Sequence, residues 1–176
     1  MSTQPTGLSQ PLHPLTVAEY LELGEPEIGY TELVEGRLLM SPSPAKRHSK
    51  ASSELWLAIR QQLPGHLIAF EDLDLDLQLA PPEAPGTVRR PDLIVVSKDA
   101  EGRIDHEGGV FRASEVRLVV EIISPSSKRT DHLTKRGEYA DAGIPHYWII
   151  DLSKPVSLLA CHLAGEFGYV DRKSVV

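Results

Sequence analysis

The hydrophobic and polar positions of this chain follow two periods, and both helices and strands are predicted from them. Thr16 followed three residues later by Glu19 is a capping-box pattern, which predicts a short helix over residues 16–23. The segment TELVEGRLLM then places two short apolar runs on either side of Glu35 and Gly36. This arrangement is typical of a β-hairpin.

The middle of the chain predicts a helix followed by strands. After SPSPAKR, apolar residues recur at helical spacing from Ala51 to Leu63. Residues 67–79 alternate between apolar and polar side chains, which predicts one strand with one solvated face. Three later runs are apolar on both faces, as expected for strands that helices cover on both sides of a sheet. These runs are residues 92–96, 116–123 and 146–151.

The segments between these strands complete the predicted order of helices and strands. Residues 98–114 are polar and contain glycine, so they predict a loop, whereas residues 131–142 predict a helix that ends at Gly143. Apolar runs at 157–163 and 167–170 predict a closing antiparallel pair. From residue 45 the order is helix, three strands, helix, strand. We therefore expect an α/β (mixed α+β) fold, with a central mixed sheet flanked by helices, an added N-terminal hairpin and added C-terminal strands.

The composition is that of one globular domain. Of the 176 residues, 41% are hydrophobic and 24% are charged. Residues 1–14 are rich in Pro, Ser, Gln and Thr, so we expect a flexible arm there and a single domain over residues 15–176. The sequence contains no apolar run of membrane-spanning length and no signal-peptide pattern. The one cysteine, Cys161, excludes an intrachain disulfide, and the simplest location is a reducing cytoplasm.

The charge is unevenly distributed along the chain. The net charge of −7 argues against a nonspecific nucleic-acid coat, which is usually basic. Four bases and one acid nevertheless lie between residues 128 and 136. A local positive field attracts phosphate even when the total charge is negative, so we name Lys128, Arg129 and Arg136 as candidate nucleic-acid-binding residues. Chance clustering on a solvated surface is the alternative.

Glu121 is an acid in the middle of an otherwise aliphatic strand, where a glutamate needs a partner. Asp92 begins the preceding apolar strand, and if the two strands are neighbours their carboxylates converge. Two carboxylates in a dry sheet cannot both ionise cheaply, and a divalent cation would offset their charge. Oxygen ligands favour Mg²⁺ or Mn²⁺ over zinc. The alternative is that Asp92 caps a loop after proline and that Glu121 forms a structural ion pair with Arg117 or Lys135.

The helix that follows this strand contributes a candidate base. Asp131, Lys135 and Tyr139 are spaced by four residues and therefore share one face. Lys135 lies about one turn into the helix, where it can orient an attacking water or neutralise charge on a phosphoryl oxygen. Asp131 is better explained as a helix cap, and Tyr139 as packing or support. Two acids and a lysine predict metal-dependent phosphodiester cleavage, with Asp92 and Glu121 as the metal ligands.

The segments RRPDLIVV, VVEIISPSS and DHLTKRGEYADAGIPHYWIID resemble the Uma-two family of restriction endonuclease-like proteins, within the PD-(D/E)XK nuclease superfamily. The similarity extends from about residue 30 to residue 169. It implies Mg²⁺- or Mn²⁺-dependent cleavage of DNA, with metal-binding acids at Asp92 and Glu121. The superfamily lysine, two residues after the second acid, is replaced by Ile123 here. Its role maps onto Lys135, with Lys128 as the fallback.

The resemblance has further implications for residues and partners. It suggests Glu35 as an extra metal ligand or support, and His48 as a residue that positions water or phosphate. A solvated turn acid and a locally bonded helix residue are the respective alternatives. Double-strand cleavage needs two active sites, so the resemblance implies a homodimer. A noncatalytic module that binds nucleic acid or a partner, and a metal-dependent hydrolase of small phosphate esters, are the alternative functions.

Overall fold

The computed structural model describes residues 11–24, 26, 29–41, 43–123 and 130–175. Within these ranges the chain forms two mixed β-sheets flanked by helices, which confirms the predicted fold class. The predicted flexible arm lies mainly outside the described residues, as do Lys128 and Arg129.

The elements are, in chain order, α1 Val17–Glu22, β1 Tyr30–Val34, β2 Arg37–Ser41, α2 Lys46–Arg60, β3 Leu67–Glu71, β4 Leu75–Asp76, β5 Val88–Arg89, β6 Leu93–Ser97, α3 Lys98–Glu107, β7 Phe111–Arg112, β8 Val116–Ile123, α4 Arg136–Asp141, β9 His146–Asp151, β10 Ser157–Leu163 and β11 Tyr169–Val175.

The larger sheet has the strand order β11-β10-β9-β8-β6-β3. In this sheet β8 and β9 run parallel, joined by the crossover that contains α4, and the other neighbours are antiparallel. The sequence α2, β3, β6, β8, α4, β9 is the expected order of helix, three strands, helix, strand. The last two strands, β10 and β11, are the expected C-terminal pair.

The N-terminal hairpin belongs to a second sheet, with the order β2-β1-β5-β4-β7. Its turn consists of Glu35 and Gly36, with φ values of 48° and 76°. In this sheet β1 pairs with β5 through Leu33 and Val88, both completely buried. The hairpin was predicted correctly, but it is part of a separate five-stranded layer rather than an addition to the central sheet.

Residues 67–79, predicted as one strand, form two strands in different sheets. The first, β3, ends before Asp72, whose φ of 52° is left-handed, and β4 then pairs with β5 and β7. Leucine alternates with polar residues from Leu73 to Leu79, whereas β3 is apolar at four of its five positions, and Leu75 and Leu77 are buried. Because a period of two is the same in either sheet, the alternation does not reveal the break.

Residues 98–114, predicted as a loop, contain α3 and β7. The hydroxyl of Ser97 caps α3 by accepting a hydrogen bond from the amide of Ala100 at 3.2 Å. Ala100 and Ile104 pack on the core. The remaining positions of α3 are polar or glycine, so its helical period is carried by two apolar residues and is too weak to detect.

The helix predicted over 131–142 is present but irregular. A π-helical segment, Thr130–Lys135, precedes the α-helical turns of α4. Such segments are rare in proteins and are frequent at functional sites. Lys135 is the last residue of this segment, at the junction with α4.

Both faces of the larger sheet are covered, as its apolar strands predict. On one face, Ile94 of β6 and Val119 of β8 pack with Tyr139 of α4. On the other face, Val120 packs against α2, including Trp56. None of the helices among the described residues is long and apolar enough to cross a membrane.

Candidate active site

Asp92 and Glu121 lie beside each other on neighbouring strands. In the antiparallel register of β6 and β8, Leu93 is opposite Val120, so Asp92 is opposite Glu121. Opposite residues of such a pair project from the same face of the sheet. Asp92 is 6% exposed and Glu121 is 5% exposed. The structure therefore brings the two predicted acids together in a buried position.

The carboxylate of Glu121 is held by two donors from the helix that follows it. The Lys135 ammonium and the Tyr139 hydroxyl both donate to Oε1 of Glu121, each at 2.8 Å. Burial raises the pKa of Tyr139 well above its ordinary value, and the charge on Glu121 raises it further, so the hydroxyl remains a donor. The ion pair with Lys135 is one of the two alternatives considered from the sequence, whereas Arg117 is exposed.

Asp92 is held from two sides. Its Oδ2 accepts a hydrogen bond from the amide of Ile122 at 2.5 Å, which ties it to β8. Its Oδ1 lies 2.7 Å from Nε2 of His48, a residue of α2 that thereby lies beside the start of β6. The hydrogen bond to Asp92 raises the pKa of His48, although burial opposes that shift. His48 is therefore a direct partner of a predicted metal ligand.

Glu32 is a third buried acid that the sequence analysis did not identify. It lies on β1 and is 3% exposed. Its carboxylate accepts hydrogen bonds at 3.0 Å from the Arg89 side chain and the Arg90 amide, and Lys135 Nζ lies 3.4 Å away. Burial raises the pKa of Glu32, but the charges of Lys135 and Arg89 outweigh it and leave the pKa below its ordinary value. Glu32 is therefore ionised at neutral pH.

Arg89 was also missed, although it is 1% exposed and connects two sides of the cluster. Its Nε and Nη2 donate to the two carboxylate oxygens of Glu138 at 2.7 and 2.6 Å, and its Nη1 donates to Glu32. The sequence did contain a signal for both residues, because Glu32 lies within an apolar hairpin strand and Arg89 lies three residues before Asp92.

The described cluster contains more acids than permanent bases. Protonation of His48 adds a positive charge, and the raised pKa of His48 fits this imbalance. A bound cation would offset the rest of the negative charge. The carboxylates are those of Glu32, Asp92, Glu121 and Glu138, and the permanent bases are Arg89 and Lys135.

The donor set of Asp92 and Glu121 fits a hard divalent cation better than zinc. Two adjacent carboxylates offer oxygen ligands, and Mg²⁺ takes one or two protein carboxylates while water and phosphate complete its shell. Among the residues that the structure describes, no group of three or more His, Cys, Asp and Glu side chains is arranged to hold a metal ion. A protein-only cage of the kind that zinc uses is therefore absent from the described part of the chain.

Other predicted site residues lie elsewhere or have structural partners. Glu35 occupies the β1–β2 turn, where its side chain is exposed, and the buried acid of this hairpin is instead Glu32. Arg136 donates to the Asp171 carboxylate at 2.5 Å and to the Tyr169 carbonyl at 2.9 Å. These bonds anchor α4 to β11, so Arg136 is not a freely exposed base.

Comparisons with known proteins agree with this fold. The family model Uma2, described as "Putative restriction endonuclease", matches residues 17–170. A crystal structure described as "a putative nuclease belonging to DUF820" from Anabaena variabilis is similar to this fold, with a TM-score of 0.69 and 21% sequence identity. The similarity covers 93% of this chain and 86% of that chain. No curated protein matches the chain.

Proposed function

This chain belongs to the Uma2 family, and on that premise we propose that it is a metal-dependent endonuclease that hydrolyses DNA phosphodiester bonds. The observation that supports the proposal most strongly is the buried pair of Asp92 and Glu121 with the Lys135 ammonium 2.8 Å from Glu121. Burial of two carboxylates costs free energy, and buried acids of this kind are typical of catalytic sites.

Each residue has a distinct role in this proposal. Asp92 and Glu121 would hold Mg²⁺ or Mn²⁺. The chemistry that the bound ion supplies is polarisation of the scissile phosphate and activation of a water molecule. Lys135 donates to a phosphoryl oxygen or to the attacking water, which stabilises the charge that develops in the transition state. His48 orients Asp92, and Tyr139 orients Glu121 through their hydrogen bonds.

The substrate and the assembly are proposed from the family description. Lys128 and Arg129 would contact the DNA backbone, and Arg136 would join them if it left Asp171. Binding would then weaken steeply with added salt, because counterions are released from the phosphates. Cleavage of both strands would require two active sites, which a homodimer provides.

A noncatalytic binding module is the second candidate, and one observation favours it. Lys135 and Tyr139 bond to Glu121, and His48 bonds to Asp92, so the buried acids have protein partners without a metal ion.

A hydrolase of small phosphate esters would share the active site. Cleavage of bis(p-nitrophenyl) phosphate without cleavage of DNA would identify that function.

The experiment incubates the protein with supercoiled plasmid in Mg²⁺, in Mn²⁺ and in EDTA. Glu121→Gln and Asp92→Asn should reduce nicking by at least about 100-fold, because each removes a metal ligand. Glu115→Gln is the control, since Glu115 is paired with Arg103 outside the cluster. Mn²⁺ calorimetry should give binding for the wild type and none for Glu121→Gln. Equal nicking by all variants, or nicking in EDTA, would refute the proposal.

A further inference from the structure

Arg89 is the largest completely buried side chain among the described residues, and the proposed chemistry does not use it directly. A buried guanidinium is costly unless its donors are satisfied. Here Nε and Nη2 form a fork on Glu138, at 2.7 and 2.6 Å, and Nη1 donates to Glu32 at 3.0 Å. Arg89 therefore joins β5 and β1 of the smaller sheet to α4.

The fork holds the helical turn that carries the candidate base. Glu138 lies in the first turn of α4, three residues after Lys135 and directly before Tyr139. Lys135 itself ends the π-helical segment. Because π and α turns contain different numbers of residues, the direction of a side chain at their junction depends on how the α-helix is rotated about its axis. A bidentate bond to Glu138 fixes that rotation.

The same guanidinium also affects which carboxylate Lys135 contacts. Lys135 Nζ lies 2.8 Å from Glu121 and 3.4 Å from Glu32, so two buried acids share one ammonium. Arg89 bonds the other oxygen of Glu32 and neutralises part of its charge. Without Arg89, Glu32 would attract Lys135 more strongly and draw it away from Glu121.

We propose that Arg89 is a positioning residue for Lys135, which it keeps beside Glu121 through its fork to Glu138 and its bond to Glu32. This inference deepens the proposed function and rests on it, because it takes Lys135 as the residue whose ammonium assists hydrolysis. Arg89 acts through Lys135. A lysine at position 89 would retain the charge but lose the planar fork, so it should not substitute.

The first experiment measures the position of Lys135 without any cleavage assay. Native protein is treated with sulfosuccinimidyl acetate, and acetylation of Lys135 is followed by peptide mass spectrometry, with exposed Lys50 as the internal reference. Arg89→Lys and Glu138→Gln should each raise the acetylation rate of Lys135 by about tenfold, because the turn that carries Lys135 is no longer held by the fork and opens to solvent more often. Arg103→Lys is the matched control, since Arg103 forms the same fork on Glu115, at 2.6 and 2.8 Å, away from the cluster. An unchanged rate in folded Arg89→Lys or Glu138→Gln would overturn the inference.

The second experiment separates positioning from general destabilisation. In the nicking assay, Arg89→Lys should lower kcat by about 10- to 100-fold with little change in KM, since misplacement of a group by about 1 Å has such effects. Combined with Lys135→Met, it should add no further loss, because its effect passes through Lys135. Additive losses would overturn the inference, as would failure of both Arg89→Lys and Glu138→Gln to fold. If the wild type does not cleave DNA, the proposed function fails, and the acetylation rates still decide the role of Arg89.

Discussion

The hydroxyl of Tyr139 offers a direct measure of how strongly Glu121 is charged in the folded protein. Tyr139→Phe removes one oxygen atom and leaves the ring, which packs edge-to-face on Tyr147 at 5.0 Å between centroids. Glu121 keeps Lys135 as a partner after the change. The substitution therefore tests one hydrogen bond without emptying a buried space.

The expected loss follows from the nature of the acceptor. A hydrogen bond to a charged group contributes about 1.5–3 kcal/mol, against about 0.5–1.5 kcal/mol for a neutral pair. Tyr169 provides the matched control, because its ring also lies near Tyr147, at 6.0 Å, and its hydroxyl donates to the backbone carbonyl of Ile144 at 2.7 Å. Tyr139→Phe should thus lower the free energy of unfolding about twice as much as Tyr169→Phe.

Urea unfolding monitored by circular dichroism at neutral pH supplies the measurement, and equal m-values for the variants would show that the compared states are the same. In thermal unfolding, each kcal/mol corresponds to a shift in Tm of about 2–4 °C for a chain of this size. If Tyr139→Phe costs no more than Tyr169→Phe, then Glu121 is not an ionised acceptor. The charge balance that favours a cation at this site would then be wrong.

Further predictions concern Glu115, which is paired with Arg103 outside the cluster, and the two glycines Gly86 and Gly137. Burial raises the pKa of Glu115, but its hydrogen bonds to Arg103 and to the Arg112 amide outweigh burial and leave the pKa below its ordinary value. The ionised Glu115 therefore stabilises the fold above its unfolded pKa of about 4.3, and this contribution is lost as the pH falls through the lower pKa of the folded state. Glu115→Gln lacks this contribution, so its free energy of unfolding, measured with urea, should fall less than that of the wild type between pH 5 and pH 3. A methyl group at Gly86 would lie 2.4 Å from a Val17 side-chain carbon, so Gly86→Ala should destabilise the protein by about 1–3 kcal/mol. Gly137→Ala, on the exposed side of α4 with no atom within 4 Å of the added carbon, should stabilise it by about 0.5–1 kcal/mol, and the opposite signs in Tm would be the check.

The sequence predicted most of what positions the site, because the strands concerned are strongly apolar. Val116–Ile123 and His146–Asp151 were predicted with the bounds that the structure gives them. Side-chain alternation in a neighbouring antiparallel pair is sufficient to bring Asp92 and Glu121 together. The spacing of four between Lys135 and Tyr139 places both on Glu121, even though the helix begins as a π segment.

The partners supplied by the second sheet could not be predicted in the same way. Glu32 and Arg89 reach the cluster because β1 and β5 pair with each other and dock beside α4, and this docking depends on contacts between distant residues. The break at Asp72 was hidden for a related reason, since alternation does not specify which sheet a strand joins. Glu35 was proposed from the family resemblance, which suggests an early acid but does not show which acid of the hairpin is buried, and the structure buries Glu32 while Glu35 is exposed.

Because the cluster contains residues of both sheets, it can assemble only late in the synthesis of the chain. Glu32 and Arg89 leave the ribosome before Glu121 and Lys135, and the charged side chains of the two early residues have no complete set of partners until residue 138 has emerged. The cluster therefore cannot exist in a nascent chain that has formed only its N-terminal half. Assembly of the acids and bases therefore requires residues of both sheets and of the segment that leads into α4.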